Sequence, residues 1–507
     1  MKSKTESPAA SPRAGAGAVP GLYVVVAIVF CAGALGMVLE LLGSRLLAPF
    51  FGNSLFVWTS LIGVMLGFMS LGYYLGGRLA DRHLGAKYLF WILMGAAFAV
   101  ALIAVTQSYL LPLLAGAGTS KAAAVFSAVL LFAIPSTLLG MVSPYCIRLR
   151  MHTVEDSGTT IGSLYAISTL GSIVGTFAAG FWLIALFGTR DLVMLVALAL
   201  ALLSLLVAGK AFRTQALVAL LVLVPVLGYV KIAVADTSID TQYDRYFVRA
   251  GVDPTSGRPL IGLSRDNKTA ESVSYADTGA PYRFEYYNYY DLARTLHGPL
   301  NRTLLIGGAT LSYPRLFISA NPTATMDVVE IDPELYTIAK NQFGYVDDPR
   351  LHLYFEDGRT FLNRATGPYD AVYMDAFKSK ATVPYQLTTK ETWQHAYDAL
   401  GPDGVLVMNI VASPSDSRKA FFNSTFASIS SVFPEVRAFR VDDYSEAGGI
   451  TNTSIVAMKR KGADIDALLA KRAPDKLARM YAGYQPPAGT KIFTDDFAPV
   501  DQYLLGF

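Results

Sequence analysis

The sequence predicts a multi-span α-helical membrane domain, then a small β unit, then a doubly wound α/β domain. Three observations carry this. Hydrophobic residues make up 53% of the 507 and charged residues only 16%, below the roughly 25% charge of soluble domains. The apolar runs concentrate before residue 236, and from Arg302 onward short strand-like runs alternate with helix-length segments, the pattern of a sheet covered by helices on both faces.

Residues 1–20, "MKSKTESPAASPRAGAGAVP", read as a small, polar, Pro-rich disordered leader. Crossing about 30 Å of hydrocarbon takes roughly 20 apolar helical residues. Candidate spans fall at 21–44, 55–78, 87–110, 121–147, 159–187, 191–209 and 214–235. That makes about seven, with eight as the alternative. Gly171 and Gly175 in "STLGSIVGTFAAGF" have the spacing that lets helices approach closely in lipid. Glu40 and Arg45 near the end of the first span are ionisable groups at a costly depth. A structural ion pair, with each other or with Arg78 or Asp81, competes with a transport role.

Basic residues cluster on the N-terminal side of the spans, at Arg78, Arg82, Lys87, Arg148, Arg150, Lys210 and Arg213, which keeps the N-terminus cytoplasmic. Seven spans would then put the C-terminal half outside. A count that is off by one would instead return it to the cytoplasm.

Residues 1–235 carry 14 Lys+Arg against 6 Asp+Glu, and the remainder 28 against 33. The mildly acidic second half has no basic stripe, which excludes nucleic acid as a partner. The two cysteines, Cys31 and Cys146, lie in apolar spans without metal-ligand spacing, so no metal is expected.

Within residues 236–300, "TQYDRYFVRA" and "RPLIGLSRD" read as strands of a small antiparallel unit. Residues 301–507 then supply "TLLIGG", "TMDVVEI", "LHLYFED", "YDAVYMD" and "GVLVMNIV" as successive strands. Ligands of such sheets bind beyond the carboxyl ends of the strands. Three of those ends deliver an acid: Glu330, Asp357 and Asp375. They should converge above the Gly307-Gly308 turn, where "GGATLS" lacks the third glycine of a phosphate-binding loop. Glu330 lies 23 positions after Gly307, near the roughly 20-residue offset of a ribose-binding acid. Asp332 caps the following helix and leaves Glu330 free for a ligand. Asp357 divides between ligand contact and helix N-cap. Asp375 follows a buried strand, where its charge needs a purpose.

In order, "LLIGGAT", "DVVEIDP", "EDGRTFL", "YDAVYMDAF" and "GPDGVLVMN" resemble the spermidine synthase (polyamine aminopropyltransferase) family, over about residues 238–507. The spans and the tail "FTDDFAPVDQ" resemble its membrane-embedded bacterial subgroup. The resemblance implies a class I methyltransferase-like, Rossmann-type domain. It also implies transfer of an aminopropyl group from decarboxylated S-adenosylmethionine to a small-molecule amine, releasing methylthioadenosine. Glu330 would bind the ribose, Asp357 and Gly358 the adenine, and Gly307 and Gly308 would admit the nucleoside. Asp375 would be the catalytic carboxylate, and Tyr289 would help hold the amine.

Two positions depart from that family. Thr310 stands where the family has an Asp on the donor's propylamine, and Lys378 where it has a second amine-binding Asp. Asp495 or Asp496 of the tail would restore the lost charge. These changes leave open methyl transfer or elimination from intact S-adenosylmethionine. A transporter or sensor with a degenerate nucleotide domain is the other alternative. The resemblance further implies the bacterial inner (cell) membrane, multi-pass, with the lipid bilayer as partner, the catalytic domain in the cytoplasm and a homodimer.

Overall fold

A computed structural model of the chain describes residues 20–51, 54–116, 121–151, 157–208, 213–233, 238–265, 270–376, 383–441 and 452–504. The chain forms two compact units that part between residues 236 and 237. The leader expected at 1–20 lies outside the described residues except for Pro20.

The first unit is helical: α1 (Leu22–Phe51), α2 (Leu55–Arg82), α3 (Ala86–Gly116), α4 (Lys121–Arg150), α5 (Ser157–Ala178), α6 (Ile184–Val207) and α7 (Arg213–Ala233). Among the described residues, six helices are long and apolar enough to cross a membrane, and α7 occupies the stretch expected for the seventh span. A π-helical turn, Ala179–Leu183, joins α5 to α6, and Gly188 interrupts α6 with a φ of 69° that favours glycine. Leu66, Phe126 and Phe181 stay exposed along these helices, as they would not on a bundle facing water. Asp81 of α2 pairs with Arg148 of α4 at 3.0 Å.

Gly171 and Gly175 serve close packing of α5 on α1. A Cβ at Gly171 would stand 2.0 Å from the Phe30 carbonyl oxygen, and one at Gly175 2.3 Å from that of Ala34. These contacts are with backbone, so a side chain must push the helices apart. Gly171→Leu is expected to destabilise the first unit by roughly 1–3 kcal/mol, the usual cost of overpacking. Melting of the detergent-solubilised chain, compared with Gly180→Leu at a glycine that has open space, checks it.

The second unit opens with an antiparallel sheet in the order β1 (Ser238–Asp240), β2 (Arg245–Val252), β3 (Pro259–Ser264) and β4 (Ser272–Tyr275). Two short helices follow, α8 (Tyr287–Tyr290) and α9 (Leu292–His297). The α/β part then runs β5 (Arg302–Ile306), α10 (Ser312–Ala320), β6 (Thr325–Glu330), α11 (Glu334–Gln342), β7 (Leu351–Phe355), α12 (Gly358–Leu362) and β8 (Tyr369–Met374). After these come α13 (Lys390–Ala399), β9 (Leu400–Ile410), α14 (Lys419–Ser430), β10 (Glu435–Arg440) and β11 (Thr453–Met458).

The seven strands lie in the order β10-β11-β9-β8-β5-β6-β7. Strands β5 to β9 are parallel, whereas β11 runs antiparallel to both β9 and β10. Side chains alternate along each strand, and both faces are buried. Leu304 and Ile306 enter one core with Val329, Val372 and Met374, while Leu305 enters the other with Met326, Val328 and Tyr373. Both faces being covered explains why these strands read as continuous apolar runs. The small sheet packs Tyr246, Val248 and Leu263 against Leu335 and Ile338 of α11. Strand order reverses between β5 and β8, so the rim above them is the crevice of a doubly wound sheet.

Candidate active site

The turn after β5 passes directly over β8. Gly307 has φ 97°, and a Cβ there would stand 2.4 Å from the Asp375 carbonyl oxygen, so only glycine fits. Gly308 would bring a Cβ to 2.8 Å from Val328. Where further glycine is missing, Ala309 and Leu311 themselves adopt positive φ, 45° and 60°. Left-handed backbone costs a residue with a Cβ about 1–2 kcal/mol, so something must hold the loop.

Glu330 holds it. Its Oε2 accepts from the backbone N–H of Gly308 at 3.0 Å and of Ala309 at 2.9 Å, and its Oε1 accepts from Asp332 N–H at 3.1 Å. The carboxylate is therefore engaged by the loop and not free as the sequence suggested, although Oε1 keeps a second lone pair. Asp332 accepts from Glu334 N–H at 3.1 Å, as expected at a helix start, and from the Thr241 hydroxyl of the small sheet at 2.5 Å. Above this floor an apolar cleft opens between Leu311, Val328, Tyr336, Leu353 and Phe355. Phe355 at the edge of this cleft is 46% exposed.

Asp357 is the N-cap of α12, its Oδ1 accepting from Thr360 N–H at 3.0 Å, while Gln386 Nε2 reaches Oδ2 at 3.5 Å. The capping reading holds, with Oδ2 facing outward from the cap. A Cβ on Gly358 would meet Ile306 at 2.5 Å, which seats the first turn of α12 on β5.

Asp375 stands half-buried past β8, and its Oδ2 accepts from the Tyr286 hydroxyl at 3.2 Å. Burial pushes its carboxyl from the usual 3.8 up to about 6, against the Tyr286 hydrogen bond that pulls it down. Burial likewise raises the Tyr286 and Tyr290 hydroxyls, and the Asp375 charge adds to this. A base with a pKa near neutrality beside protonated hydroxyls is suited to taking one proton from a substrate.

Other expected site residues lie elsewhere. Tyr289 is fully buried and donates its hydroxyl to the Arg440 carbonyl at 2.7 Å; the tyrosine hydroxyl that reaches Asp375 is that of Tyr286. Thr310 is also fully buried, its hydroxyl bonded to Ser312 at 3.3 Å and its N–H to Ser272 at 3.4 Å, so it is spent inside the loop. Asp495 accepts from Arg359 at 2.7 Å and Thr389 at 2.7 Å, so it is engaged by α12 and the stretch that follows Tyr385. Asp496 is exposed. Lys378 lies outside the described residues. Among the described residues no cluster of His, Cys, Asp or Glu is suited to a metal.

Sequence reasoning missed Tyr286, Tyr290 and Asn409. The signal was present in the run of aromatics "FEYYNYY" and in an Asn at the end of β9. Tyr286→Phe is expected to slow turnover about tenfold and to move the acidic limb of the pH profile upward, because a hydrogen bond that lowers the Asp375 pKa is lost. Tyr289→Phe should leave turnover unchanged and cost about 1 kcal/mol of stability. Parallel pH–rate profiles and melts of the two variants check both.

Residues 290–453 match the family described as the spermine/spermidine synthase domain. The polyamine aminopropyltransferase of Vibrio vulnificus is 26% identical over 258 residues, covering 48% of this chain and 84% of that enzyme. The eEF1A lysine and N-terminal methyltransferase of Xenopus laevis is 28% identical over 148 residues, 27% of this chain and only 20% of its own length. A crystal structure of a probable spermidine synthase from Corynebacterium glutamicum superposes with a TM-score of 0.41 at 20% identity, over 52% of this chain and 97% of the other.

Proposed function

We propose that the spermine/spermidine synthase domain carried by the second unit is a working transferase, held at a membrane by the helical first unit, that moves an aminopropyl group from decarboxylated S-adenosylmethionine to a small amine. The observation that carries this is Asp375, an acid with a pKa near 6 at the switch point of the sheet, faced by Tyr286, Tyr290 and Asn409.

The residues fit the donor. Glu330 and the two glycines bring backbone close to where a nucleoside without phosphates would lie, and Oε1 retains an acceptor for a ribose hydroxyl. Asp357 and the Gly358 N–H stand at the next strand end for the adenine edge, and Phe355 offers a ring for its face.

The amine arrives as an ammonium. With a pKa near 10 only about one part in a thousand is neutral at pH 7, a cost of roughly 4 kcal/mol. The Asp375 carboxylate attracts and orients that ammonium, then accepts its proton as the nitrogen attacks the carbon beside the sulfonium. The C–N bond forms as the C–S bond breaks. The bonding pair stays on sulfur, so methylthioadenosine leaves neutral and needs no acid. The Tyr286 hydroxyl keeps the carboxylate aimed, and burial keeps it basic enough to accept the proton.

A second reading, methyl transfer or elimination from intact S-adenosylmethionine, is favoured by Thr310, since no carboxylate occupies that loop position, and by the similarity to a methyltransferase. Calorimetric titration of the full chain with the decarboxylated and the intact donor separates the two. Tighter binding of the decarboxylated donor, with release of methylthioadenosine on adding putrescine or another amine, is expected. Preference for the intact donor without amine-dependent turnover would overturn the aminopropyl reading.

We place the second unit on the cytoplasmic side, where the nucleoside is made, which requires an even number of crossings before residue 237. A C-terminal reporter active only outside the cytoplasm would contradict that placement.

A further inference from the structure

The chain's tail is bound into the end of the site that would read the base, through Arg359. This guanidinium, 14% exposed, gives its Nη2 to Asp495 Oδ2 at 2.7 Å and its Nη1 to Asp495 Oδ1 at 3.2 Å. Nη1 also reaches the hydroxyls of Thr389 at 3.1 Å and Thr392 at 2.5 Å, and Thr389 itself donates to Asp495 at 2.7 Å. Thr392 bonds the Gln386 carbonyl, and the Gln386 side chain points to Asp357. Three segments distant in sequence thus meet on one side chain: α12, the stretch 385–392 and the tail.

The placement of this network matters. Helix α12 has five residues, too few for a helix to hold itself in water. Its first residue, Gly358, follows Asp357, and Arg359 is next. An ion pair with one partner open to solvent adds little net stability, whereas a bidentate Arg–carboxylate pair fixes geometry well.

We propose that Arg359 and Asp495 form a positioning clip that fixes the Asp357-Gly358 backbone against the base of the bound nucleoside. The proposal rests on the nucleoside-transferase reading above. Neither residue touches the substrate; both act through α12. Because the stretch 385–392 is the same segment that returns after Asp375, the clip also ties the donor end of the site to the chain downstream of the catalytic carboxylate.

The test is calorimetric binding of methylthioadenosine and of methylthioinosine, which lacks the base's amino group, to the full-length chain. Asp495→Asn keeps size at a side chain that is 47% exposed, so the fold should survive; Arg359→Lys keeps the charge and loses the fork, and stands in if the first variant melts early. Both are expected to bind methylthioadenosine about tenfold more weakly, the loss of one charge-assisted contact, and to lose most of the preference over methylthioinosine. Asp495→Glu, which can still engage the fork, should restore at least half of that preference. Wild-type affinity and preference in both variants overturn the clip, and so does an equal loss for both nucleosides. A wild-type chain that binds neither nucleoside overturns the transferase reading itself, so the two failures are distinct.

Discussion

Asp375→Asn is expected to lower aminopropyl transfer by at least about a thousandfold, within the 10²–10⁴ typical of a positioned acid or base and added to the lost attraction for the ammonium. Affinity for methylthioadenosine should change by no more than a few fold, because the contacts proposed for the nucleoside are the loop, Glu330 and the Asp357 end. The same variant should be more stable than the wild type. The Asp375 carboxyl is raised from 3.8 to about 6 in the folded chain, so the fold prefers it protonated. That contribution is fully present below pH 3.8 and is lost as pH rises through about 6, leaving at neutral pH a cost of up to about 3 kcal/mol. An asparagine removes both the charge and the cost. Turnover of the wild type should rise with pH through about 6 and level off, whereas stability attributable to this group falls over the same interval. Rate profiles between pH 5 and 8 with parallel denaturant melts check both. Turnover of the variant within tenfold of wild type would remove Asp375 from the chemistry.

The sheet and its three acidic strand ends could be read from the sequence for a physical reason: strands buried on both faces are continuous apolar runs, and an acid that ends such a run must leave the core. Strands β5 to β9 and the positions of Glu330, Asp357 and Asp375 followed from this. The antiparallel pair β10 and β11 did not, because "EVRAFR" carries charges along an edge, with Arg437 paired to Asp466. The choice among tyrosines failed for a different reason. Around α8 each residue turns by about 100°, so Tyr286 and Tyr290, four apart, share the face toward Asp375, and Tyr289 points to Arg440. No local pattern in "EYYNYY" sets that phase. The role of Asp495 is fixed by Arg359, 136 residues away, and such pairings appear only once the chain has folded.

Glu330→Ala is expected to weaken methylthioadenosine binding at least a hundredfold and to destabilise the second unit by roughly 2–4 kcal/mol. The carboxylate accepts from the N–H groups of Gly308, Ala309 and Asp332, and an abandoned buried donor costs about 1–3 kcal/mol. It also opposes the strain of Ala309 and Leu311, whose left-handed backbone has no reason to persist without it. Glu330→Gln should fall between: its oxygen can still receive Gly308 and Ala309, but its amide then points a donor at Asp332 N–H. The informative control is Asp327→Asn on the same strand. Asp327 is buried on the other face, where it accepts from Arg302 at 3.0 Å, His352 at 2.8 Å and Tyr369 at 2.7 Å. It should cost a similar amount of stability, since a paired buried charge is removed from its partners, while leaving nucleoside affinity within a few fold. If both variants weaken binding equally, the loss reflects general softening of the sheet, and Glu330 has no special part in shaping the loop. If only Glu330→Ala does so, the acid's work is to hold two left-handed residues in the one conformation that admits a nucleoside.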